Sequence, residues 1–243
     1  MRMLAFATRV RREILRDPLN LFFGLGFPIM LLLLFAAIGK SAPEAPFSIE
    51  IMAPGIAVFS LSFVTLFSAT LISRDRESAL LIRLYASPLR PSDFIVGYAL
   101  WLLPISLLIG AICYLAAIPL GLAFTVRSLF AILLLLPVAL LQISLGLLFG
   151  SILSVRQVGG ICGALLTNLS AWLSGAWFDL ALIGGGFEAV ARILPFSHAV
   201  MLERAAILGD YRAAALHLLP VLGYAIGTAV LATLLFLRQM KKQ

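Results

Sequence analysis

The side chains that could perform chemistry are few in this sequence and lie far apart. Eleven carboxylates, two histidines and two cysteines are distributed over 243 residues. A hydrolase would need paired carboxylates, and a metal centre would need His and Cys at ligand spacing. His198 and His217 are isolated instead, and Cys113 and Cys162 each lie within an apolar block. The sequence therefore predicts no catalytic residue and no metal site.

Two short motifs match known sites but fail on context. Gly39-Lys40-Ser41 has the form of the end of a phosphate-binding loop, yet Leu34 stands where the first glycine is required. Asn168-Leu169-Ser170 has the form of a glycosylation acceptor but lies inside an apolar block. The sequence thus shows no nucleotide-binding site, and we expect this chain to bind no cofactor itself.

The elements that must position these residues belong to a membrane protein. Hydrophobic residues make up 62% of the chain and charged residues 12%, and the mean hydropathy is +1.10. A bilayer-crossing helix needs roughly 20 mostly apolar residues. Six uncharged windows meet this length, so we predict an all-α integral membrane fold with a single domain over residues 1–243. The predicted spans cover about 19–39, 51–73, 94–118, 128–153, 157–178 and 214–237.

The third window is too long for one upright helix and too short for two helices joined by a turn. Pro104 is expected to kink its helix, and Pro119 with Gly121 is expected to end it. We therefore predict a single span there.

The positive charges predict the orientation of the spans. Thirteen of the 18 Lys and Arg residues fall before the first span, after the second, between the fourth and fifth, and after the sixth. Because positive charge accumulates on the cytoplasmic side of a membrane, both termini are expected in the cytoplasm. The net charge of +7 then belongs to the flanks of the bilayer, and a nucleic-acid partner is not expected.

Two cytoplasmic segments are candidates for contact with lipid or protein. Residues 2–17 have an apolar face and a basic face, which indicates an interfacial amphipathic helix that anchors on anionic lipid, docks on a partner, or does both. Residues 74–88 open with alternating charges and close at Pro88, which indicates a short helix. From the residues alone, this loop is equally consistent with a solvated linker and with a docking element for a soluble subunit.

The outer region, 179–212, is apolar in pieces that are too short to cross a bilayer. One piece surrounds Gly184-Gly185-Gly186 and another covers 189–195. We predict short re-entrant helices there, which must be covered by protein wherever their backbone breaks at membrane depth. An unstructured apolar loop is the alternative.

The predicted spans contain almost no ionisable residues, and this bears on where the energy for any transport would come from. Secondary carriers and intramembrane enzymes place ionisable side chains within the bilayer, where such groups are costly. His217 is the exception among windows that otherwise hold no acid or base, so we expect the driving force to come from a cytoplasmic partner. The uncharged polar residues of the windows favour helix packing over substrate binding; they include Thr65, Ser68, Thr70, Gln142, Ser144, Thr167, Asn168, Ser170 and Ser174.

Six short stretches, spread over nearly the whole chain, resemble the membrane subunits of type-2 ATP-binding-cassette exporters in sequence, order and spacing. They are Ala53-Pro54-Gly55-Ile56, Arg74-Asp75-Arg76-Glu77, Leu84-Tyr85-Ala86-Ser87-Pro88-Leu89, Phe94-Ile95-Val96-Gly97, Ser174-Gly175-Ala176-Trp177-Phe178 and Leu194-Pro195-Phe196-Ser197-His198-Ala199-Val200. Each stretch alone has low specificity, and it is their combination that makes the match specific. One departure is Asp179, where such permeases often carry a proline.

This resemblance implies a partnership and a coupling element. It implies a permease in a bacterial-type inner membrane, paired with a second permease, identical or different, and with two cytoplasmic ATPase subunits that bind ATP and Mg. The loop after the second span would be the coupling helix, roughly 74–88, lying in a groove of the ATPase beside the amphipathic N-terminus. The residues expected to carry coupling are Arg74, Asp75, Arg76, Glu77, Leu81, Arg83, Leu84, Ser87 and Pro88.

The resemblance also implies that the first, second and fifth spans line a substrate pathway. Their aromatic residues are mostly phenylalanines without hydroxyl groups, which favours an amphipathic or apolar substrate such as a drug, a lipid or a lipid-linked product. Export of a polysaccharide or another polar substrate by the same architecture is the alternative, as is a stand-alone secondary carrier. The expected pathway residues are Phe27, Phe59, Phe63, Phe67, Asn168, Trp172 and Trp177.

Overall fold

The computed structural model describes residue 13 and residues 22–41, 48–78 and 91–240. Within these ranges the chain forms helices and no strand, as the hydropathy predicts. The predicted amphipathic segment 2–17 lies outside them except for Glu13, and so do residues 79–90 of the predicted coupling loop.

Four long helices make up the first part of the described chain. The first, α1, covers Phe22–Ser41 and opens with a π-helical turn at Phe22–Gly26. The next three are α2 (Ile49–Glu77), α3 (Pro91–Ala117) and α4 (Val126–Ile152).

The remaining helices differ widely in length. Helix α5 is built from three consecutive pieces, α-helical Val155–Val158, π-helical Gly159–Leu166 and α-helical Thr167–Leu173. A 3-10 turn at Leu180–Leu182 precedes two shorter helices, α6 (Gly185–Ile193) and α7 (Pro195–Leu208). The last helix, α8, covers Tyr211–Met240.

Helix α2 lies at the centre of the bundle. In its most apolar 18-residue window 89% of the residues are buried, whereas the corresponding value is 17% for both α1 and α8. Helix α2 packs against α4, α3, α7 and α1, while α8 packs mainly against α4 and α7. Substrate-facing or partner-facing surfaces are therefore expected on the outer helices, and rigidity is expected in α2.

Two glycines let α4 approach α2 closely. A Cβ built at Gly146 would lie 1.6 Å from Ser68 Oγ, and one at Gly150 would lie 2.7 Å from the Ala69 carbonyl. Small residues at such crossings allow helix backbones to meet within a membrane, where hydrophobic attraction between helices is absent. These two glycines therefore bring the backbones of α2 and α4 close together near Ser68 and Ala69.

A polar contact joins the same two helices. The Thr65 hydroxyl lies 2.7 Å from Gln142 Oε1 and 2.9 Å from the Gln142 carbonyl. The predicted helix-packing role is confirmed for these two residues. Ser68 and Thr70 donate instead to carbonyls of their own helix, which satisfies their hydroxyls without a partner helix.

Five helices of the described chain are long and apolar enough to cross a membrane: α1, α2, α3 extended to Leu120, α4 and α8. The long third window forms one helix, as predicted, and that helix is one of these five candidate spans. Its helix ends at Ala117, and Gly121 follows with a φ of +116°, a left-handed conformation that favours glycine. The predicted fifth span, 157–178, corresponds to the composite helix α5, which ends earlier, at Leu173.

Candidate functional site

The four charged residues at the start of the predicted coupling helix belong to α2. Helix α2 continues through Glu77, so the prediction of a separate helix beginning at Arg74 was wrong at that end. The physical reason is that three of the four side chains have partners within the bundle and therefore stabilise one more helical turn. Leu81, Arg83, Leu84, Ser87 and Pro88 lie outside the described residues.

Two of these partnered charges tie α2 to α3 and α4. The Tyr98 hydroxyl in α3 donates to Asp75 Oδ2 at 2.5 Å, and both side chains are buried. Arg76 Nη1 donates to the carbonyls of Gly150 and Leu153 at 2.8 and 3.3 Å. These carbonyls end α4, where a cation is favoured by the helix dipole and by unpaired acceptors.

The third partnered charge ties α2 to α5. Glu77 Oε1 accepts from the Val155 amide at 2.8 Å, an N–H at the start of α5 that has no partner within its own helix. Ser154 and Gln157 form a capping box over the same turn. The C-terminal end of α2 is thus joined by side chains to α3, α4 and α5.

A continuous series of aromatic rings joins α1, α2 and the turn after α5; we call it the aromatic chain. The ring centroids of Phe59 and Phe63 in α2 lie 5.4 Å apart. Their centroids lie 6.2 and 6.3 Å, respectively, from that of Phe27 in α1. Trp177 contacts Phe59 at 5.4 Å and Trp172 at 5.9 Å. These distances and edge-to-face angles are those of favourable aromatic pairs.

Five of the seven predicted pathway residues therefore meet in the aromatic chain, and two do not. Phe67 packs one turn further along α2, where a Cβ at Gly24 would lie 3.3 Å from its ring. Asn168 is exposed and donates to the Ala164 carbonyl in its own helix at 2.7 Å. The five that meet are Phe27, Phe59, Phe63, Trp172 and Trp177.

The aromatic chain is buried on one side and open on the other. Phe59 and Phe63 are 5% and 6% exposed, whereas Trp172 is 52% exposed. Phe22 and Phe23 extend the series at the start of α1 and are also exposed. The rings thus offer an apolar surface that leads from the outside of the bundle to α2.

Arg204 of α7 fixes the turn that carries Trp177. Its Nη2 donates to the carbonyls of Gly175 and Ala176 at 2.8 and 3.1 Å, and its Nε donates to the Ile51 carbonyl of α2 at 3.1 Å. Burial lowers the pKa of the Arg204 guanidinium, and the charge of Asp179 opposes that shift. The guanidinium therefore links α7, α2 and the turn in one place.

Glu203, beside it, is fully buried in the bundle. Tyr114 of α3 donates to Glu203 Oε2 at 2.7 Å, while Oε1 has no hydrogen-bond partner among the described residues. Burial raises the pKa of Glu203 to about 8, and the bond from Tyr114 acts in the opposite direction. The sequence places this acid in an outer loop outside the six apolar windows, so sequence reasoning did not predict its burial in the bundle.

Sequence reasoning missed α7, and with it Glu203 and Arg204. The signal was present: Pro195 occupies the first helical turn, and Gly209 ends the helix with a φ of +81°, a combination typical of helix limits. The predicted apolar pieces stopped at Pro195 and therefore left these residues in a loop.

The two histidines, isolated in sequence, meet in space. His198 Nδ1 of α7 and His217 Nδ1 of α8 lie 3.0 Å apart, and both rings are half-buried. This contact joins the neighbouring helices α7 and α8. Among the described residues, no group of three or more His, Cys, Asp or Glu side chains is placed to hold a metal ion.

The sequence also matches a known protein family. The family model described as ABC-2 type transporter matches residues 2–208, which include every helix from α1 to α7. A search of curated proteins gives no match.

Proposed function

Because the chain belongs to the ABC-2 type transporter family, we propose that it moves an amphipathic or apolar substrate out of the cytoplasm. Membership makes it a multi-pass transmembrane subunit of an ATP-binding-cassette transporter. The proposed parts are the substrate class and the direction of transport. The aromatic chain supports the substrate class, because its rings present apolar faces and edges to any molecule that enters between α1 and α2.

Energy would come from other subunits. The family implies an ATP-binding-cassette ATPase as partner, and we propose two such ATPases, which bind ATP and Mg, and a second permease, identical or different. Phe22, Met30 and Leu33 of α1 and Leu165 and Trp172 of α5 are all more than half exposed. A second permease would cover these apolar side chains where lipid does not.

The inner end of α2 is the proposed point of force transfer. Residues 79–88 would dock on the ATPase, and they directly follow Ser78, the residue after the end of α2. Arg76 and Glu77 connect that end to α4 and α5. A displacement of the docking segment would therefore move three helices together and favour an outward-open arrangement.

The topology is a proposal of the same kind. We propose that α5 is the sixth membrane crossing, that α6 and α7 are re-entrant, and that residues 1–243 form one domain with both termini in the cytoplasm. A membrane of the bacterial inner type is proposed from the resemblance. Two features of α5 support its assignment as a membrane crossing. Its three pieces run without interruption from Val155 to Leu173, and they carry one charge, Arg156, near the proposed inner end.

One observation favours a second candidate function. A stand-alone secondary carrier would need an ionisable group within the bundle, and Glu203 is such a group. Vesicles that contain this chain alone distinguish the two functions. Under our proposal they accumulate no solute when a proton or sodium gradient is applied; accumulation would establish the carrier and refute the dependence on an ATPase. Export of a polysaccharide remains the alternative within the transporter architecture.

The coupling assignment is tested by co-purification with the ATPase. Arg83→Glu is expected to reduce the recovered ATPase severalfold while membrane insertion stays at the wild-type level. Glu77 needs a gentler change, because it also accepts a hydrogen bond from Val155; Glu77→Gln keeps an acceptor and removes the charge. Arg156→Glu, at an exposed position on α5, controls for general charge effects. Wild-type recovery from Arg83→Glu and Glu77→Gln would contradict the assignment.

A further inference from the structure

The indole N–H of Trp177 is a buried donor without an acceptor. Trp177 Nε1 is inaccessible to solvent, and within the part of the chain that the structure describes no acceptor lies within hydrogen-bond distance. An indole nitrogen donates one hydrogen bond and accepts none. Burying it unpaired forfeits its bond to water, so such groups are rare in proteins and call for an explanation.

The surroundings of the ring explain why the donor is unpaired. Trp177 lies against Phe59 of α2, Phe35 of α1 and the neighbouring Trp172, at 5.4, 6.4 and 5.9 Å between ring centroids. None of these side chains contains an oxygen. The one polar group on these neighbouring rings is the indole N–H of Trp172, which is a donor as well and cannot accept from Trp177.

The ring is held in this place by its backbone. Arg204 binds the carbonyls of the two residues before it, Gly175 and Ala176. On the other side the turn lies directly on α2, where a Cβ at Gly55 would lie 2.3 Å from the Ala176 carbonyl oxygen. The turn has no room to move towards α2, so the donor cannot find an acceptor by a shift in that direction.

One wall of this site belongs to the least buried part of the bundle. Phe35 comes from α1, whose apolar window is 17% buried, whereas Phe59 comes from α2, whose window is 89% buried. A displacement of α1 away from α2 would therefore remove Phe35 from the Trp177 ring and leave Phe59 in place. A ligand that enters there meets aromatic faces and one fixed donor.

We propose that Trp177 determines specificity in the aromatic chain, by donating its indole N–H to an oxygen acceptor on an apolar substrate. The ligand class is an apolar molecule with a carbonyl, ester or phosphoester oxygen, in preference to a hydrocarbon of the same shape. This inference rests on the proposed function and adds to it the polar group that the substrate must carry. A site that supplies a hydrogen bond discriminates against ligands that leave its donor unpaired.

Two probes of nearly equal shape test the inference. The ketone 1-acetylpyrene carries an acceptor, and 1-ethylpyrene carries a methylene group in its place. Each is titrated into the purified full-length chain in dodecyl maltoside micelles, and the dissociation constant is taken from energy transfer between tryptophan and pyrene. We expect the ketone to bind about 3- to 10-fold more tightly, the range that one neutral hydrogen bond supports.

Two variants assign the preference to Trp177. Trp177→Phe keeps an aromatic ring and removes the N–H, so it is expected to bind both probes with equal affinity. Trp172→Phe is the matched control: it alters a neighbouring ring of the same set and is expected to weaken both probes alike, leaving their ratio unchanged. The midpoint of each titration is used, since the number of tryptophan donors affects only the amplitude.

The outcomes separate this inference from the function on which it rests. Tight binding of both probes without a preference, or a preference that persists in Trp177→Phe, overturns the role of the N–H and leaves an apolar site. If neither probe binds, the proposed apolar substrate class fails as well.

Should Trp177→Phe not fold, the resonance Raman band that reports indole hydrogen bonding is recorded for the wild type with each of the two probes. It must shift with 1-acetylpyrene and stay unchanged with 1-ethylpyrene, or the inference is refuted.

Discussion

Glu203 makes the stability of this protein depend on pH in a way that one isosteric substitution should remove. In the folded protein its pKa is raised from 4.5 to about 8 by burial. The folded state therefore holds the proton more tightly than the unfolded state does. The stability contributed by this group is complete below pH 4.5 and is lost as the pH rises through about 8.

The magnitude follows from the size of that shift. Each pH unit between about 5 and 8 should lower the free energy of unfolding by about 1.4 kcal/mol, and the full shift corresponds to about 5 kcal/mol. Glu203→Gln stays neutral at every pH and retains an oxygen that can accept from Tyr114. Its stability relative to the wild type should therefore increase with pH up to about 8 and then level off.

Thermal unfolding of the purified protein from pH 5 to pH 9 measures this difference. For a chain of this size, 1.4 kcal/mol corresponds to a change in Tm of about 3 to 5 °C per pH unit. Glu50→Gln is the matched control, because Glu50 is exposed at the start of α2 and the substitution removes one carboxylate outside the buried bundle. Parallel curves for Glu203→Gln and the wild type across the range would refute the burial of an acid at this position.

Three further substitutions test the packing around α2. Gly146→Val should destabilise the protein by about 3 kcal/mol or more, since its Cβ would lie 1.6 Å from the nearest side-chain atom of α2; Gly223→Ala, where a Cβ meets nothing within 4 Å, should be neutral or slightly stabilising. Denaturant unfolding of the two variants compares them, and equal effects would contradict the close approach. Tyr98→Phe removes a hydrogen bond to the buried Asp75 and should lower the free energy of unfolding by about 1.5 to 3 kcal/mol in the same assay; no change would mean that this bond adds nothing. Arg204→Lys keeps the charge but loses the planar fork that reaches three carbonyls, so a drop in Tm of several degrees is expected, and a Tm equal to that of the wild type would contradict this anchoring.

The apolar windows of the sequence located the long helices because a membrane tolerates few charges along a span. This logic fails where a charge finds a partner inside the bundle. Arg76 is predicted from the sequence to lie in a cytoplasmic loop, yet its bonds to the end of α4 keep it within α2. Glu203 and Arg204 form part of α7 for the same reason. Partners that are distant in sequence, such as Tyr114 for Glu203, depend on the tertiary arrangement and leave no local pattern.

The aromatic chain was more accessible to prediction, since Phe59 and Phe63 are four residues apart and share one face of a helix. Their contact with each other follows from that spacing. Their contacts with Phe27 and Trp177 do not, because they depend on how α1 and the turn after α5 pack against α2. The unpaired N–H of Trp177 likewise becomes visible only when every neighbour of the ring is known.

The side-chain contacts at the C-terminal end of α2 give this helix the mechanics of a stiff lever. Its 29 residues correspond to a length of about 43 Å at about 1.5 Å per residue. Rotation by about 5° around its midpoint would carry each tip through about 2 Å, and the ends of α4 and α5 that are bonded to Arg76 and Glu77 would travel with the C-terminal tip. The N-terminal tip, where Arg204 binds the Ile51 carbonyl, would swing the opposite way, so under the proposed coupling a small push at the C-terminal tip would reach the turn that carries Trp177.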